Sequence, residues 1–316
     1  MRLSPEAIAM RRAVRRLRVG LVVDNMDWHA RALSRALTTL GATSIPIRLT
    51  ACGFATSNAT GLAIEGVGAG LPDAIFVRTM PGGSFEAVTL RLGILHAARD
   101  LGAMVWNDAR AIERCVDKSM TSFLLARAGI ATPPTWAVES REAAAAIVAQ
   151  EAFDGPLVLK PLFGSQGRGL RLIRVPDDLP EPAGVNGVYY LQRFVGVERD
   201  GFRDFRLLVS RGRVVAAMAR HSPGWITNVK RGARPVPAVA SEEMRELALR
   251  AATAVGAAFA GVDVLYDLDG RPTVLEVNSM PAWSGLQKVT PFDIAAALAG
   301  DIVAALAERL TQGVGG

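Results

Sequence analysis

The stretch GVDVLYDLDGRPTVLEVNSMP, residues 261–281, constrains this chain more than any other. Two apolar runs flank Asp269-Gly270, and Asp-Gly suits a two-residue hairpin turn in which both positions take φ > 0. With Leu268 opposite Arg271, counting outward sets Asp263 opposite Glu276. Asn278 then shares the face of Glu276, because side chains alternate along a strand. One face of a hairpin otherwise built of Val and Leu so gathers two carboxylates and an amide. Carboxylates directly opposite each other repel unless a cation stands between them. An all-oxygen set suits a hard ion such as Mg²⁺, which keeps waters and binds substrate phosphates. Pairing to Arg, or a solvated hairpin face, would satisfy the same pattern. Pro272 weakens ladder pairing beside the turn.

The rest of the composition narrows the partners. The 316 residues are enough for about two domains, and half are hydrophobic, so a sizeable core is expected. No apolar run reaches the roughly 18–20 residues of a membrane span. Residues 1–16 read as a basic extension without the apolar centre of a signal peptide, and Met10 is an alternative start. A net charge of +6 and a pI near 9.9 favour an anionic partner such as a nucleotide or a polyacidic substrate. The Arg residues are spread along the chain and not clustered with aromatics, which argues against nucleic acid. Cys52 and Cys115 lack CxxC spacing and fit a reducing cytoplasm. Three His without ligand spacing argue against zinc.

Taken in order, the pattern predicts strands at 17–25, 45–49, 74–78 and 104–106, with helices at 28–40 and 85–101 and a flexible loop at 50–71. Strands alternating with helices make a parallel sheet. This first unit, 17–112, is expected to be Rossmann-like, and no GxGxxG follows its first strand. Beyond it come a helix capped by Asp117, a strand at 136–138, a helix at 141–150 and strands at 157–160, 170–174 and 188–194. A hairpin at 205–219, a helix at 241–259 and a last helix at 293–310 complete the chain.

Three further constellations carry chemistry. Lys160 ends a strand and opens KPLFGSQGRG, residues 160–169, whose glycines let backbone N–H groups approach a phosphate. Gln192, Arg193 and Phe194 end a strand before an acidic turn with Glu198 and Asp200, an arrangement that can read a base edge and hold ribose hydroxyls. Asp204 and Arg206 share a strand face, Arg220 ends the paired strand, and Asn228, Lys230 and Arg231 lie in the loop HSPGWITNVKRGARP. Converging Arg side chains bind carboxylate or phosphate oxygens. An ordinary long turn, an ordinary strand end and a solvated basic face are the respective alternatives. His221 reads as a loop contact and not as a general base.

The order of these parts resembles the ATP-grasp fold, and within it the carboxylate–amine ligases of the RimK glutamate-ligase type. The likeness is carried by NDARAIERCVDKSMTSFLLARAGIATPPT (107–135), PLVLKPLFGSQGRGLRL (156–172), DFRLLVSRGRVVAAMAR (204–220) and AGVDVLYDLDGRPTVLEVNSMP (260–281). It covers about 72–310 and implies an α/β (α+β) architecture: an ATP-grasp domain, 113–316, with a central lid lobe at about 130–195, behind the Rossmann-like pre-ATP-grasp domain.

The resemblance implies ATP as substrate with two Mg²⁺ (or Mn²⁺) ions on Asp263, Glu276 and Asn278. It implies ATP contacts from Lys118, Lys160, the lid glycines Gly164, Gly167 and Gly169 with Ser165 and Gln166, and from Gln192, Arg193, Phe194, Glu198 and Asp204. Arg206, Arg220, Asn228 and Arg231 would line the phosphate and acceptor pocket, and Arg78 would face the acceptor. The implied reaction joins an amino acid, glutamate, to a carboxylate of a pterin or one-carbon coenzyme, a peptide or a protein C-terminus, through an acyl phosphate. The implied setting is a cytoplasmic homo-oligomer, dimer or tetramer, without membrane or nucleic acid. A nucleotide-binding protein without ligase activity and a D-alanine-type dipeptide ligase are the alternatives. The chain departs from the family pattern at Arg193, where Glu is common, at Ile226, where a basic residue is usual, and at Ala282 in place of Gly. Two extra residues precede Asp204.

Overall fold

A computed structural model describes residues 17–68, 70–164, 166–196 and 201–312. The basic extension 1–16 and the candidate residues Ser165 and Glu198 lie outside them. The chain forms two compact units. The first takes the described residues up to 112, then 280–287 and those from 291 on; the second is 113–279 with 288–290.

The first unit holds strands β1 (Arg18–Val22), β2 (Thr43–Ile47), β5 (Ala74–Val77) and β6 (Met104–Trp106) in the parallel order β2-β1-β5-β6. Helix α1 (Trp28–Thr39) and α2 (Phe85–Asp100) make the crossovers. Asp27 starts α1 by accepting from the Ala30 N–H at 2.8 Å, an N-cap that satisfies a free donor of the first turn. The 50–71 segment is not only loop. It contains a short ladder of β3 (Gly53–Phe54) with β4 (Leu62–Ala63).

The second unit opens with α3 (Ala109–Val116), which begins in the first unit, and α4 (Lys118–Arg127), capped by Asp117 as the sequence suggests. Strands β7 (Thr135–Val138), β8 (Leu157–Lys160), β9 (Arg171–Ile173) and β10 (Tyr189–Arg193) form an antiparallel sheet in the order β7-β10-β8-β9. Period-2 alternation decides its faces. Leu157, Leu159, Tyr189 and Leu191 pack with Ala144 and Val148 of α5 (Arg141–Glu151). Val158, Lys160 and Gln192 point to the other side.

The second sheet of this unit has five strands, β11 (Phe202–Ser210), β12 (Arg213–Ser222), β13 (Arg234–Pro237), β14 (Phe259–Tyr266) and β15 (Pro272–Asn278), in the order β13-β12-β11-β14-β15. Helix α6 (Glu242–Val255) covers one face with Met244, Leu247, Ala248, Ala251, Ala252 and Val255. It stops four residues before the expected end at 259. Gly256 takes φ 77°, a left-handed cap, and frees Phe259 to begin β14. The loop expected after His221 is shorter than the sequence suggests, because β12 runs to Ser222 and β13 begins at Arg234.

The chain ends in α7 (Ser284–Gln287) and α8 (Ile294–Gln312), and α8 packs on α1 in the first unit. No helix among the described residues is long and apolar enough to cross a membrane.

Candidate active site

A cavity of about 650 Å³ opens between the two sheets of the second unit. Val158, Leu170, Leu265 and Leu275 give it apolar walls, while Lys160, Gln192, Asp204, Arg220, Asn228, Asp263 and Glu276 bring polar groups into it. Apolar walls with a few convergent polar groups are the usual make-up of a small-molecule site.

The hairpin expected at 261–281 is present, but its turn differs. Asp267 N donates to Arg271 O at 2.9 Å, and Gly270 N donates to Asp267 O at 3.1 Å with Gly270 at φ 77°. The turn is therefore 268–270, and Leu268 sits 79% exposed at its tip instead of facing Arg271. The Asp267 carboxylate accepts from Asp269 N and Arg271 N and fixes this longer turn. Pairing near it is shifted by one, with Val264 opposite Val274. A bulge between Val264 and Asp263 restores the register, so that Asp263 does stand opposite Glu276, and Gly261 opposite Asn278. The extra residue, Leu275, and Glu276 both reach the cavity. Pro272 is accommodated as the first residue of its strand.

Asp263 is 4% exposed and does not stand alone. Arg206, its neighbour across the β11–β14 ladder, grips it with Nε–Oδ1 at 2.7 Å and Nη2–Oδ2 at 2.6 Å. Arg220 Nη2 lies 3.0 Å from the same Oδ2 and also donates through Nε, 2.7 Å, and Nη2 to Asp204, its partner across β11–β12. Burial alone would push the Asp263 carboxyl up, but the two guanidiniums outweigh it and hold it below the usual carboxylate range. Asp204 shares Arg220 with Asp263. Burial and the Asp263 charge push its carboxyl up. Lone buried ions would cost several kcal/mol each, and the mutual pairing offsets this.

Lys160 Nζ donates to Gln192 Oε1 at 2.5 Å. Burial lowers its ammonium to about 8, against the opposing pull of Glu276. Lys118, at the first turn of α4, donates through Nζ to the carbonyls of Gly164, 2.8 Å, and Leu162, 3.3 Å. Burial lowers its pKa as well, and Glu276 acts against that shift. Glu276 thus acts electrostatically on both lysines. In the glycine-rich loop, Gln166, Gly167 and Gly169 all take left-handed φ, 66°, 69° and 72°. Successive left-handed residues turn N–H groups to one side.

Of the other candidates, Arg193 and Phe194 line the cavity, and Arg193 Nη2 pairs with Glu151 Oε2 at 2.5 Å. Lys118, Arg206, the glycine-rich residues Gly164, Gln166, Gly167 and Gly169, Arg231 and Asn278 stand outside its lining. Asn278 Nδ2 reaches Gly261 O at 3.5 Å, and Arg231 is exposed after a short turn at Val229–Arg231. Arg78 belongs to the first unit. There it is buried, stacks over Trp283 at 5.2 Å and donates to Met280 O at 3.1 Å. His29 accepts the Trp283 and Ser284 N–H groups, both 3.2 Å, on Nε2, and Nδ1 lies 3.1 Å from Asp27.

Residues the sequence reading did not assign also line the cavity. They include Phe202 and Trp225, which meet Phe194 edge to face at 6.3 and 6.0 Å; His221, expected as a loop contact, lies instead in β12 opposite Arg203 and lines the cavity too. Thr227, whose side chain hydrogen-bonds Asp204, is another. Phe194, Phe202 and Trp225 are brought together by the fold, and no regular spacing in the chain links them.

Glu276 offers an oxygen donor on the cavity face, and the Asp263 oxygens beside it are held by Arg206 and Arg220. Among the described residues no group of three or more His, Cys, Asp or Glu side chains could hold a metal. Two carboxylates with an amide nearby make a poor all-protein cage. They fit Mg²⁺, which retains waters and takes phosphate oxygens as further ligands.

The family model of the RimK-like ATP-grasp domain matches residues 115–302. The chain is 32% identical over 308 residues to the tetrahydromethanopterin:alpha-L-glutamate ligase of Methanosarcina acetivorans, covering 85% of this chain and 93% of that protein. To the ligase of the same name from Methanococcus maripaludis it is 37% identical over 195 residues, 60% of this chain and 65% of that one. In fold it is similar to the ATP-grasp ligase PsnB, solved with its minimal precursor, Mg and ADP, at a TM-score of 0.69 and 21% identity over 92% of this chain and 98% of PsnB. A sheet pair whose cavity takes Lys160, Asp263 and Glu276 agrees with these likenesses, and the chain belongs to the RimK-like ATP-grasp family of ATP-dependent carbon–nitrogen ligases.

Proposed function

We propose that this protein adds glutamate to a carboxylate on a pterin-type acceptor, with release of ADP and phosphate. The observation that carries the proposal is the meeting of Lys160, Asp263 and Glu276 in one cavity beside the glycine-rich loop. The acceptor class rests on the two pterin:glutamate ligases to which the chain is similar. A peptide or protein C-terminus is the broader form of the same reading.

In this reading 17–112 is the Rossmann-like domain, and 113–316 is the ATP-grasp domain with about 130–195 as its central lid lobe. The acceptor carboxylate oxygen attacks the γ-phosphorus of ATP, and the bond to the β-phosphate oxygen breaks. The glutamate nitrogen then attacks the acyl carbon, phosphate leaves, and the nitrogen gives up a proton. Lys160 and Lys118 offset phosphate charge, and Gln192 orients Lys160. Ser165 and Glu198 complete the nucleotide contacts, and Arg220, Asn228 and Arg231 hold phosphate and acceptor oxygens. Arg206 and Arg220 fix the Asp263 carboxylate. Asp263, Glu276 and Asn278 would hold two Mg²⁺ ions, which supply charge neutralisation across the phosphates. The free thiols Cys52 and Cys115 support a cytoplasmic setting, and a homo-oligomer completes the proposal.

The test is incubation with ATP, Mg²⁺, glutamate and tetrahydropterin acceptors. ADP, phosphate and a glutamyl amide in equal amounts support the reading. AMP with pyrophosphate, or no ADP with any acceptor and amine, removes it.

A further inference from the structure

Gly167 lies directly against the loop that follows β12. A Cβ built on it would fall 2.4 Å from Asn228 Oδ1 and 2.9 Å from Ile226 Cγ2, with φ already left-handed at 69°. Ile226 and Asn228 line the cavity. The tip of the glycine-rich loop is thus seated on the cavity rim. Its base is held separately, by the two carbonyl bonds from Lys118. Gly169 folds the loop back on Pro161, where a Cβ would fall 2.8 Å from Cγ. An apolar, β-branched side chain at 226 gives the seat a stiff wall, because such a side chain has few rotamers.

From this contact we infer that Ile226 and Gly167 are a positioning pair that docks the glycine-rich loop and keeps water from the acyl phosphate. The inference rests on the acyl-phosphate reading above. Neither residue exchanges protons or holds charge. Their task is steric: water reaching the acyl phosphate would return the carboxylate and inorganic phosphate, and ATP would be spent without an amide. An apolar residue at 226 therefore serves the partition between amine and water, not phosphate binding.

Two readouts separate this inference from the reading it rests on. Arg168, next to Gly167, is exposed and precedes Gly169, so trypsin cleavage after Arg168 reports docking without any substrate. The other is amide formed per ADP released. In Gly167→Ala and Ile226→Ala, cleavage after Arg168 is expected to rise about tenfold, since left-handed strain or a lost wall unseats the tip. Amide per ADP is expected to fall in both, while Ile226→Val keeps native values in both assays. Native cleavage rates in both alanine variants overturn the docking role, and one amide per ADP in both overturns the water-excluding role. If the native protein releases no ADP with any acceptor, the ligase reading fails, and the cleavage assay still decides the docking.

Discussion

Arg206 and Asp263 face each other across the β11–β14 ladder in a two-pronged ion pair, Nε–Oδ1 2.7 Å and Nη2–Oδ2 2.6 Å. The guanidinium that steadies Asp263 also occupies oxygens through which it would hold a metal. Arg206→Ala should therefore cost folding stability, about 3 kcal/mol for a buried pair broken from one side, seen as a lower urea midpoint. The same variant should bind Mg²⁺ more tightly in calorimetry with ATP absent, because one competing cation is gone.

Glu276 acts electrostatically on both lysines and reaches the cavity from the bulge. Glu276→Ala should abolish the Mg²⁺ dependence of nucleotide binding and lower kcat by at least about a thousandfold, on the scale of losing a preorganised charge contact. Near-native turnover would remove Glu276 from the metal site.

Lys160 supplies a pH test. Its buried ammonium is lowered to about 8, so it is charged below that pH and neutral above it in the nucleotide-free protein. Phosphate favours the charged form, so binding above pH 8 must take up a proton. The Kd for ATP should be flat below about pH 8 and should weaken above it by up to about tenfold per unit. Lys160→Met should bind weakly at every pH and lack the break. A break in that variant would assign it to another group.

His29 accepts two backbone N–H groups on Nε2, which leaves Nδ1 carrying the proton toward Asp27. Replacing it leaves buried donors unpaired, at about 1–3 kcal/mol per group. His29→Ala should lower the melting temperature of the protein, and His29→Gln, with an oxygen in reach, should recover part of it.

Much of the second unit was legible because its strands alternate. Leu157 and Leu159 against Val158 and Lys160 mark which face meets α5 and which meets the cavity. Period-2 spacing, a capping Asp117 and the left-handed glycines are local properties, and a sequence displays local properties directly. The opposition of Asp263 and Glu276 was reached through a turn that the chain does not make. The longer turn shifts pairing one way and the bulge at Leu275 shifts it back. A bulge depends on how a strand bends over its neighbours, and no residue pattern announces it. Pairing to Arg was an open alternative for the hairpin carboxylates, but that Arg206 and Arg220 supply it on Asp263 was hidden for a related reason. Strand order β12-β11-β14 puts the three residues side by side, and that order is set by packing, not by spacing in the chain.

The packing of α8 on α1 has a consequence for how the protein is made. The first unit is assembled from stretches separated in sequence, whereas the second is nearly continuous, from 113 to 279. On the ribosome, domains ordinarily mature from the N-terminus. Here the first sheet must wait for α8, which is synthesised after β15, while the second unit already has all but its last few residues. A stop codon after β15 would spare most of the second unit and leave the first one unfinished.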